Sequence, residues 1–143
     1  MKLLFIHVDY FNYKVKKETE LAEKIDSSQR SGETENSLLV LLSVEKEDEE
    51  SKTGSDKLVS RALNEIEEIV TQIKVENITL FPFAHLSESL SSPDYAISVL
   101  KKLEKKAKKS GLNTLRVPFG WYKNFELKSK GHPLSVLSRT IHL

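Results

Sequence analysis

Six short segments of the chain have the hydrophobic pattern of β-strands. Residues 38–44 form the strongest of them, a nearly continuous apolar run that predicts a buried strand. Residues 10–15 instead alternate polar and apolar positions, which predicts a separate strand paired with the run before it. The six predicted strands span residues 3–8, 10–15, 38–44, 78–83, 112–117 and 122–127.

Two further segments have the period of amphipathic helices. In residues 56–75, apolar side chains recur every three or four positions and form one face, with Ser55 as the expected N-terminal cap. A second helix is expected to begin at Ser92-Pro93, because proline is favoured in the first turn, and to end at Gly111. The apolar positions are Leu58, Ala62, Ile66, Ile69 and Ile73 in the first helix and Ala96, Val99, Leu100, Leu103 and Ala107 in the second.

The remaining segments are polar and predict connections. Residues 16–36 indicate a long mobile connection, and residues 45–55 indicate an acidic loop that contains a glycine. A C-terminal tail follows the last predicted strand. The order of elements is then β-β-β-α-β-α-β-β. Strands mixed with two helices predict an α/β layer fold with a mixed sheet.

The composition narrows the class of protein. With 143 residues, the chain has the size of one domain and is long enough for a hydrophobic core. The formal net charge is +1, so a nucleic acid would have to be bound by a local basic patch. The chain has no cysteine, which excludes disulfides and cysteine-ligated zinc. No run has the length of a membrane span or the features of a signal peptide, so we expect a cytoplasmic protein without a membrane partner.

Two titratable side chains lie beside aromatic residues at predicted strand ends. His85 is a candidate general base or orienting group, and the alternative is a loop histidine held by an ordinary hydrogen bond. Lys123 follows Trp121 and Tyr122, where an ammonium group can orient an anion or a carbonyl. The alternative is a surface lysine whose stem packs on those rings. The four histidines do not have metal-ligand spacing, so no metal site is expected.

Lysines crowd the second predicted helix. They form either a solvated face, which is favourable towards a helix C-terminus, or a patch that contacts RNA phosphates. The sequence pattern alone leaves both interpretations open. The residues are Lys101, Lys102, Lys105, Lys106, Lys108 and Lys109.

Five segments, in order, carry a resemblance to a known family. They are Leu4-Phe5-Ile6-His7-Val8-Asp9-Tyr10, Ser43-Val44-Glu45-Lys46, Pro82-Phe83-Ala84-His85-Leu86, Pro118-Phe119-Gly120-Trp121-Tyr122-Lys123, and Lys130-Gly131-His132-Pro133-Leu134 with Leu137-Ser138-Arg139. In these segments the chain resembles the N-terminal editing domain of archaeal threonyl-tRNA synthetases. The resemblance implies that residues 1–143 are a single editing domain at the N-terminus of a longer chain. It also implies the D-aminoacyl-tRNA deacylase-like fold: a homodimeric α/β domain with a mixed, barrel-like sheet and two main flanking helices.

The function that this resemblance implies is hydrolysis of L-seryl-tRNA(Thr), the product of mischarging. Serine lacks only the β-methyl group of threonine, and one methyl group yields about 1–3 kcal/mol of discrimination in a binding site. A second pocket that excludes threonine by size can destroy the serine ester. In this family the 2′-hydroxyl of the RNA helps to activate the attacking water. The implied partners are the 3′ end of tRNA(Thr) carrying serine, the rest of the synthetase chain and a second copy of the domain.

The resemblance also assigns roles to individual positions. Lys123 corresponds to the lysine that positions the substrate and the attacking water, and His85 to the histidine that holds or gates the seryl group. Other positions correspond to the walls around the adenosine and aminoacyl groups. These are Pro82, Ala84, Phe119 and Tyr122, with Val44 and Glu45 near the same pocket.

Two positions depart from the family pattern. Val136 occupies a substrate-binding position where the family often has a glutamate that could pair with Lys123, and Ser129 replaces a frequent cysteine. Two alternatives remain open: a free-standing D-aminoacyl-tRNA deacylase, and a non-catalytic dimerisation or tRNA-docking domain, which the missing carboxylate favours. No cofactor is expected in this domain. The ATP and zinc of a synthetase would belong to its catalytic part, outside residues 1–143.

Overall fold

The computed structural model describes all residues from Met1 to Leu143. It contains six strands, three α-helices and two short 3₁₀ helices, the latter at Ser27–Gln29 and Ala84–Leu86. The strands and α-helices are β1 (Lys2–Glu18), β2 (Ser31–Ser43), α1 (Lys46–Glu50), α2 (Ser55–Ile73), β3 (Asn77–Pro82), α3 (Pro93–Lys109), β4 (Asn113–Arg116), β5 (Trp121–Ser129) and β6 (Val136–Thr140).

All six strands form one mixed sheet in the order β4-β3-β2-β1-β5, with β6 also paired to β1. β2, β3 and β4 run parallel to one another, whereas β1 is antiparallel to β2, β5 and β6. The parallel pairs are joined by crossovers that contain α2 and α3, as parallel strands require. The predicted α/β fold with a mixed sheet is therefore confirmed.

The prediction of two strands in residues 3–15 was wrong, because β1 is one continuous strand. Where β1 pairs with β5, the register shifts between Val8 and Tyr10, as at a β-bulge. At this point the residues that face away from the two main helices change from even-numbered to odd-numbered positions. Leu4, Ile6 and Val8 face the same side of the sheet as Phe11. The change interrupts the alternation of polar and apolar residues at Asp9. For this reason, the sequence pattern of one continuous strand was interpreted as two strands.

Residues 16–36 were also predicted wrongly as a mobile connection. β1 continues to Glu18, a 3₁₀ turn follows, and β2 begins at Ser31. Residues 31–36 have mainly polar side chains, but residues 31–35 pair with β1 from Lys14 to Tyr10. This part of the strand is stabilised by backbone hydrogen bonds to β1. The hydrophobic pattern of the sequence does not indicate such bonds. The predicted acidic loop contains the short helix α1, and the predicted tail contains the strand β6.

The two main helices cover one face of the sheet, as the apolar stripes predicted. Their stripes pack with side chains from β1, β2 and β3 into a core of 22 buried residues. Ser92 accepts a hydrogen bond from the backbone N–H of Tyr95 and caps α3, and Pro93 occupies the first turn. Gly111 follows the helix with φ of +99°, a conformation that favours glycine. Ser55 is the first residue of α2 and not its cap, which is Gly54.

The other face of the sheet curls into a barrel-like trough. β5 and β3 are separated by two strands in the sheet, yet the ring centroids of Phe125 and Phe81 lie 4.9 Å apart, edge to face. Phe11 lies between these strands on β1, with its centroid 5.7 Å from that of Phe81. The inner side chains form a second core cluster: Val8, Phe11, Tyr13, Val15, Leu39, Leu41, Phe81 and Val117. No helix in the structure has the length and apolar character needed to cross a membrane.

Candidate active site

A cavity of about 570 Å³ opens between the trough and the start of α3. Its walls are the end of β2, the turn after β3, the first turns of α3 and the beginning of β5. Thirteen of its 21 lining residues are hydrophobic, so the cavity is an apolar recess with few polar groups. Such recesses are typical of small-molecule sites. The lining residues are Thr19, Leu21, Leu42, Ser43, Val44, Phe81, Pro82, Phe83, Ala84, His85, Leu90, Ser91, Pro93, Ala96, Leu100, Phe119, Gly120, Trp121, Tyr122, Lys123 and Phe125.

Lys123 is the one cationic side chain in this lining apart from the titratable His85. Its Nζ donates to the carbonyl oxygen of Pro118 at 2.9 Å and lies 5.4 Å from the centroid of the Phe81 ring. Burial lowers the pKa of Lys123 from 10.5 to about 8, and the carboxylate of Glu23 opposes this shift. The side chain therefore keeps its proton at neutral pH but is poorly hydrated. An ammonium group in this state forms strong hydrogen bonds to an oxygen of a bound ligand.

His85 lines the same cavity from the 3₁₀ turn that follows β3. Its ring packs edge to face on Phe83 with centroids 5.2 Å apart, and its imidazole makes no hydrogen bond within the chain. The residue is exposed at the rim of the cavity.

The structure brings seven of the nine predicted site residues to this one cavity. Besides Lys123 and His85, five residues line it, and the side chain of Tyr122 is 65% exposed and forms part of the rim. These residues come from three segments that are distant in the sequence, so only the folded chain brings them together. The five are Val44, Pro82, Ala84, Phe119 and Tyr122.

Glu45 is not in the lining, because its carboxylate is held elsewhere. It accepts a hydrogen bond from Ser87 at 2.6 Å and pairs with the N-terminal ammonium of Met1 at 3.0 Å. Burial alone would raise the pKa of Glu45, but these two partners hold it below the ordinary value. The residue ties the chain terminus to the turn that carries His85.

Val136 also lies outside the lining. It is 55% exposed on β6 and pairs with Ile6, whereas Lys123 pairs with Val15 at the other end of β1. Val15 lies nine positions after Ile6 along β1, about 30 Å of strand path at about 3.3 Å per residue. Within one chain, the residue at position 136 and Lys123 are not neighbours.

Sequence reasoning missed Thr19, Leu21 and Glu23, which lie in the segment predicted to be mobile. Thr19 and Leu21 line the cavity, and Glu23 is buried behind it. Their neighbours in sequence are polar and give no sign of burial. Their burial results from backbone hydrogen bonds to Phe119 and Gly120, about 100 residues away in the sequence. No local pattern in the sequence indicates such a contact.

The structure contains no group of three or more histidine, aspartate and glutamate side chains placed to hold a metal ion. The polar groups at the cavity are instead an ammonium, an imidazole and hydroxyls, with aromatic rings between them. This combination suits an uncharged or anionic ligand that has a flat ring system.

The fold and the cavity define an α/β domain with an aromatic, lysine-containing ligand site on a curled mixed sheet. A model of the archaea-specific editing domain of threonyl-tRNA synthetase matches residues 1–141. The chain belongs to this family.

Relatives named threonine--tRNA ligase support the same assignment. The chain is 50% identical to that of Methanobrevibacter smithii over 141 residues, which is 99% of this chain and 23% of the relative. It is 50% identical to that of Methanococcoides burtonii over 143 residues, 100% of this chain and 22% of the relative. It is 48% identical to that of Thermococcus onnurineus over 142 residues, 99% of this chain and 22% of the relative. The chain thus spans less than a quarter of the length of these relatives.

Among solved structures, the c-Myc DNA unwinding element binding protein has the same fold. The two superpose with a TM-score of 0.63 over the full length of both chains, at 14% sequence identity. At this identity the likeness concerns the fold alone. It supports the architecture that the resemblance predicted.

Proposed function

We propose that this domain hydrolyses L-seryl-tRNA(Thr) and so removes serine from mischarged tRNA. The observation that carries the proposal is the Lys123 ammonium, half-buried in an aromatic cavity of a domain from a synthetase editing family. The substrate would be the 3′ end of the tRNA, with the terminal adenosine and its seryl ester in the cavity. The reaction would use no cofactor within residues 1–143.

The shape and lining of the cavity suit a nucleoside ester. A volume of about 570 Å³ lies within the range of small-ligand sites, roughly 300–1,000 Å³. Stacking of a base on an aromatic side chain contributes about 1–3 kcal/mol. Phe119 and Pro82 line the cavity, and Tyr122 is 65% exposed at its rim, so an aromatic ring is available there for a base to stack on.

The proposed chemistry needs a positioned water and a stabilised ester carbonyl. The water oxygen attacks the carbonyl carbon, and the bond from that carbon to the ribose oxygen breaks. The 2′-hydroxyl assists removal of the water proton, and the ribose oxygen takes up a proton as it leaves. Of the three N–H groups of Lys123, one is used by Pro118, so two remain to orient the water and the carbonyl oxygen.

His85 is proposed to hold the seryl group from the turn that follows β3. Its free ring nitrogens are able to hydrogen bond to the seryl hydroxyl or amine. Discrimination against threonine would come from an apolar wall that lies against the seryl side chain and excludes the additional methyl group by size. Exclusion by size is effective here because the wrong substrate for the editing site is the larger one.

The partners and location follow from this proposal. The domain would act within a threonyl-tRNA synthetase in the cytoplasm, on the 3′ end of tRNA(Thr), and as a homodimer. Lys101, Lys105 and Lys109 form one stripe of α3 and have no carboxylate partner, whereas Lys102 and Lys108 are paired with Asp56 and Glu104. This stripe is available for RNA phosphates.

A complex with a non-hydrolysable seryl-adenosine analogue tests the proposal. We expect the adenine in the cavity, with the seryl carbonyl within hydrogen-bond distance of Lys123 Nζ and the seryl hydroxyl beside His85. Binding at any other place on the domain would contradict the site assignment. Deacylation assays with D-seryl-tRNA and L-seryl-tRNA then separate the two enzymatic functions, because a D-aminoacyl-tRNA deacylase would prefer the D-ester. Binding without turnover of either ester would indicate a docking domain.

A further inference from the structure

Glu23 is a carboxylate buried directly behind the turn that precedes β5. Its side chain is 4% exposed. It accepts hydrogen bonds from two nitrogens of the Arg116 guanidinium, Nη1 and Nη2, and from the backbone N–H of Phe119 at 2.8 Å. A buried carboxylate is tolerated only with such partners, because an unpaired charge is strongly disfavoured away from water. The position is therefore a built ion pair and not a chance contact.

The backbone around Glu23 is bonded to the same turn. The N–H of Glu23 donates to the carbonyl oxygen of Phe119 at 3.0 Å, and the indole N–H of Trp121 donates to the carbonyl oxygen of Glu23 at 2.9 Å. Thr19 donates its backbone N–H to Gly120 at 3.1 Å. The segment from Thr19 to Glu23 thus holds three residues of the turn, Phe119, Gly120 and Trp121. This turn leads directly into Lys123 on β5.

The charge of Glu23 also reaches Lys123. Arg116 is shared between two carboxylates, those of Glu23 and Glu104, the latter at 3.0 Å from its Nε. Glu104 is also paired with Lys108 at 3.2 Å, so the charge of Glu104 has a partner of its own. Among the charged groups of the chain, Glu23 is the one whose field favours the protonated form of Lys123.

We propose that Glu23 is a positioning residue for the Lys123 site: its buried carboxylate, bonded to Arg116 and to the N–H of Phe119, fixes the turn that leads into Lys123 and places a negative charge behind that turn. It does not touch the cavity and acts through these two effects. The expected effect of Glu23 on the rate of deacylation rests on the proposed editing function. Its expected effect on the pKa of Lys123 does not, because that pKa is a property of the folded chain.

Two substitutions of similar size separate this role from a general structural one. Glu23→Gln keeps the shape of the side chain and an acceptor for Phe119, but removes the charge. Glu104→Gln removes the other carboxylate from Arg116 and leaves the turn untouched. The side-chain pKa of Lys123 is measured in each protein by NMR of isotope-labelled lysine, with Lys123→Met to assign the signal.

We expect the pKa of Lys123 to fall below about 8 in Glu23→Gln and to stay at the wild-type value in Glu104→Gln. The proposal is overturned if Glu23→Gln leaves the pKa unchanged, or if both variants lower it equally. The pH profile of seryl-tRNA deacylation should shift in the same direction as the pKa. If wild-type protein shows no deacylation at all, the proposed function fails while the NMR result still decides the role of Glu23.

A second variant tests the positioning effect and replaces the first if Glu23→Gln does not fold. Glu23→Asp keeps the charge but is one methylene shorter, so it cannot reach both Arg116 and Phe119. Trp121 is the only tryptophan in the chain, and its fluorescence reports on the turn directly. We expect acrylamide to quench Trp121 more strongly in Glu23→Asp than in wild-type protein, and deacylation to slow. Wild-type quenching together with wild-type deacylation would overturn the proposal.

Discussion

Lys123 donates a hydrogen bond at 2.9 Å to the carbonyl oxygen of Pro118, five residues earlier in the chain. The bond spans the turn from Phe119 to Tyr122, so the shape of the turn and the position of the ammonium depend on each other. An aromatic cavity wall and a cation are thereby held as one unit. This arrangement is the basis of the site assignment.

The first prediction concerns the ammonium itself. Lys123→Met retains most of the apolar stem and removes all three donors, so it should slow deacylation by about 10²-fold or more, the typical loss when a donor to a reacting oxygen is removed. Single-turnover kinetics with seryl-tRNA(Thr) measure the effect. Lys123→Arg keeps the positive charge and serves as the control, with a smaller loss expected. Equal rates for wild type and Lys123→Met would rule out a role for this side chain.

A second prediction concerns the close approach of Gly120 to the preceding segment. A Cβ atom at this position would lie 2.6 Å from both Leu21 O and Ala22 Cα, and φ is +80°. Gly131 is the matched control, since its φ is +78° but a Cβ atom would meet nothing within 4 Å. Gly131→Ala should cost about 1–2 kcal/mol from backbone strain alone. Gly120→Ala should cost about 3 kcal/mol or more, because the backbone of the neighbouring segment must also move.

Urea unfolding followed by far-ultraviolet circular dichroism measures both costs. If the two alanine variants were equally stable, the close packing of residues 19–23 against the turn would be refuted.

Several features of the fold were predictable from local pattern, and several were not. The helices α2 and α3 were predictable because each has an apolar stripe that is visible in the local sequence and that any sheet can bury. β1 was misjudged at Asp9 because a bulge changes the alternation, and residues 31–36 because their strand depends on a distant partner. His85 and Lys123 could be singled out by their aromatic neighbours. Glu23 could not, because its burial depends on Arg116, which is 93 residues away.

A third prediction concerns a chain of neutral histidines far from the cavity. The backbone N–H of Leu134 donates to His132 Nδ1, so the proton of that ring is on Nε2, which donates to His7 Nδ1 at 2.7 Å. His7 then donates from Nε2 to the side-chain oxygen of Asn36 at 3.0 Å. Every nitrogen in this chain has one fitting partner, and an additional proton on either ring would place two donors against each other.

Stability should therefore fall as the pH drops. Burial lowers the pKa of His7 below its ordinary value of 6.5, and the charges of His132 and Lys130 lower it further. The hydrogen bond to Asn36 and the charge of Asp9 act in the opposite direction. Below pH 6.5 the unfolded state binds a proton that the folded state does not, so the free energy of unfolding decreases until the folded pKa is reached.

The free energy of unfolding, measured with urea between about pH 7 and about pH 5, should depend less steeply on pH in His7→Asn than in wild type. His142→Gln is the control, because this exposed side chain is outside the histidine chain and should leave the dependence unchanged. The same slope in wild type and His7→Asn would contradict the prediction.

A fourth prediction concerns Val136, where a glutamate was expected from the family pattern. Because the side chain is 55% exposed on β6, Val136→Glu should change the free energy of unfolding by no more than about 0.5 kcal/mol. The pKa of Lys123 should be unaffected, because the two positions are distant within one chain. A raised pKa of Lys123 in this variant would contradict the prediction and indicate that a second copy of the domain brings residue 136 to the cavity.

The most direct test of the central claim is the rate at which the domain deacylates two esters of the same tRNA. L-seryl-tRNA(Thr) should be hydrolysed in single-turnover assays, L-threonyl-tRNA(Thr) should be spared, and the seryl activity should be lost in Lys123→Met. Equal hydrolysis of the two esters, or no hydrolysis of the seryl ester by wild-type protein, would contradict the account.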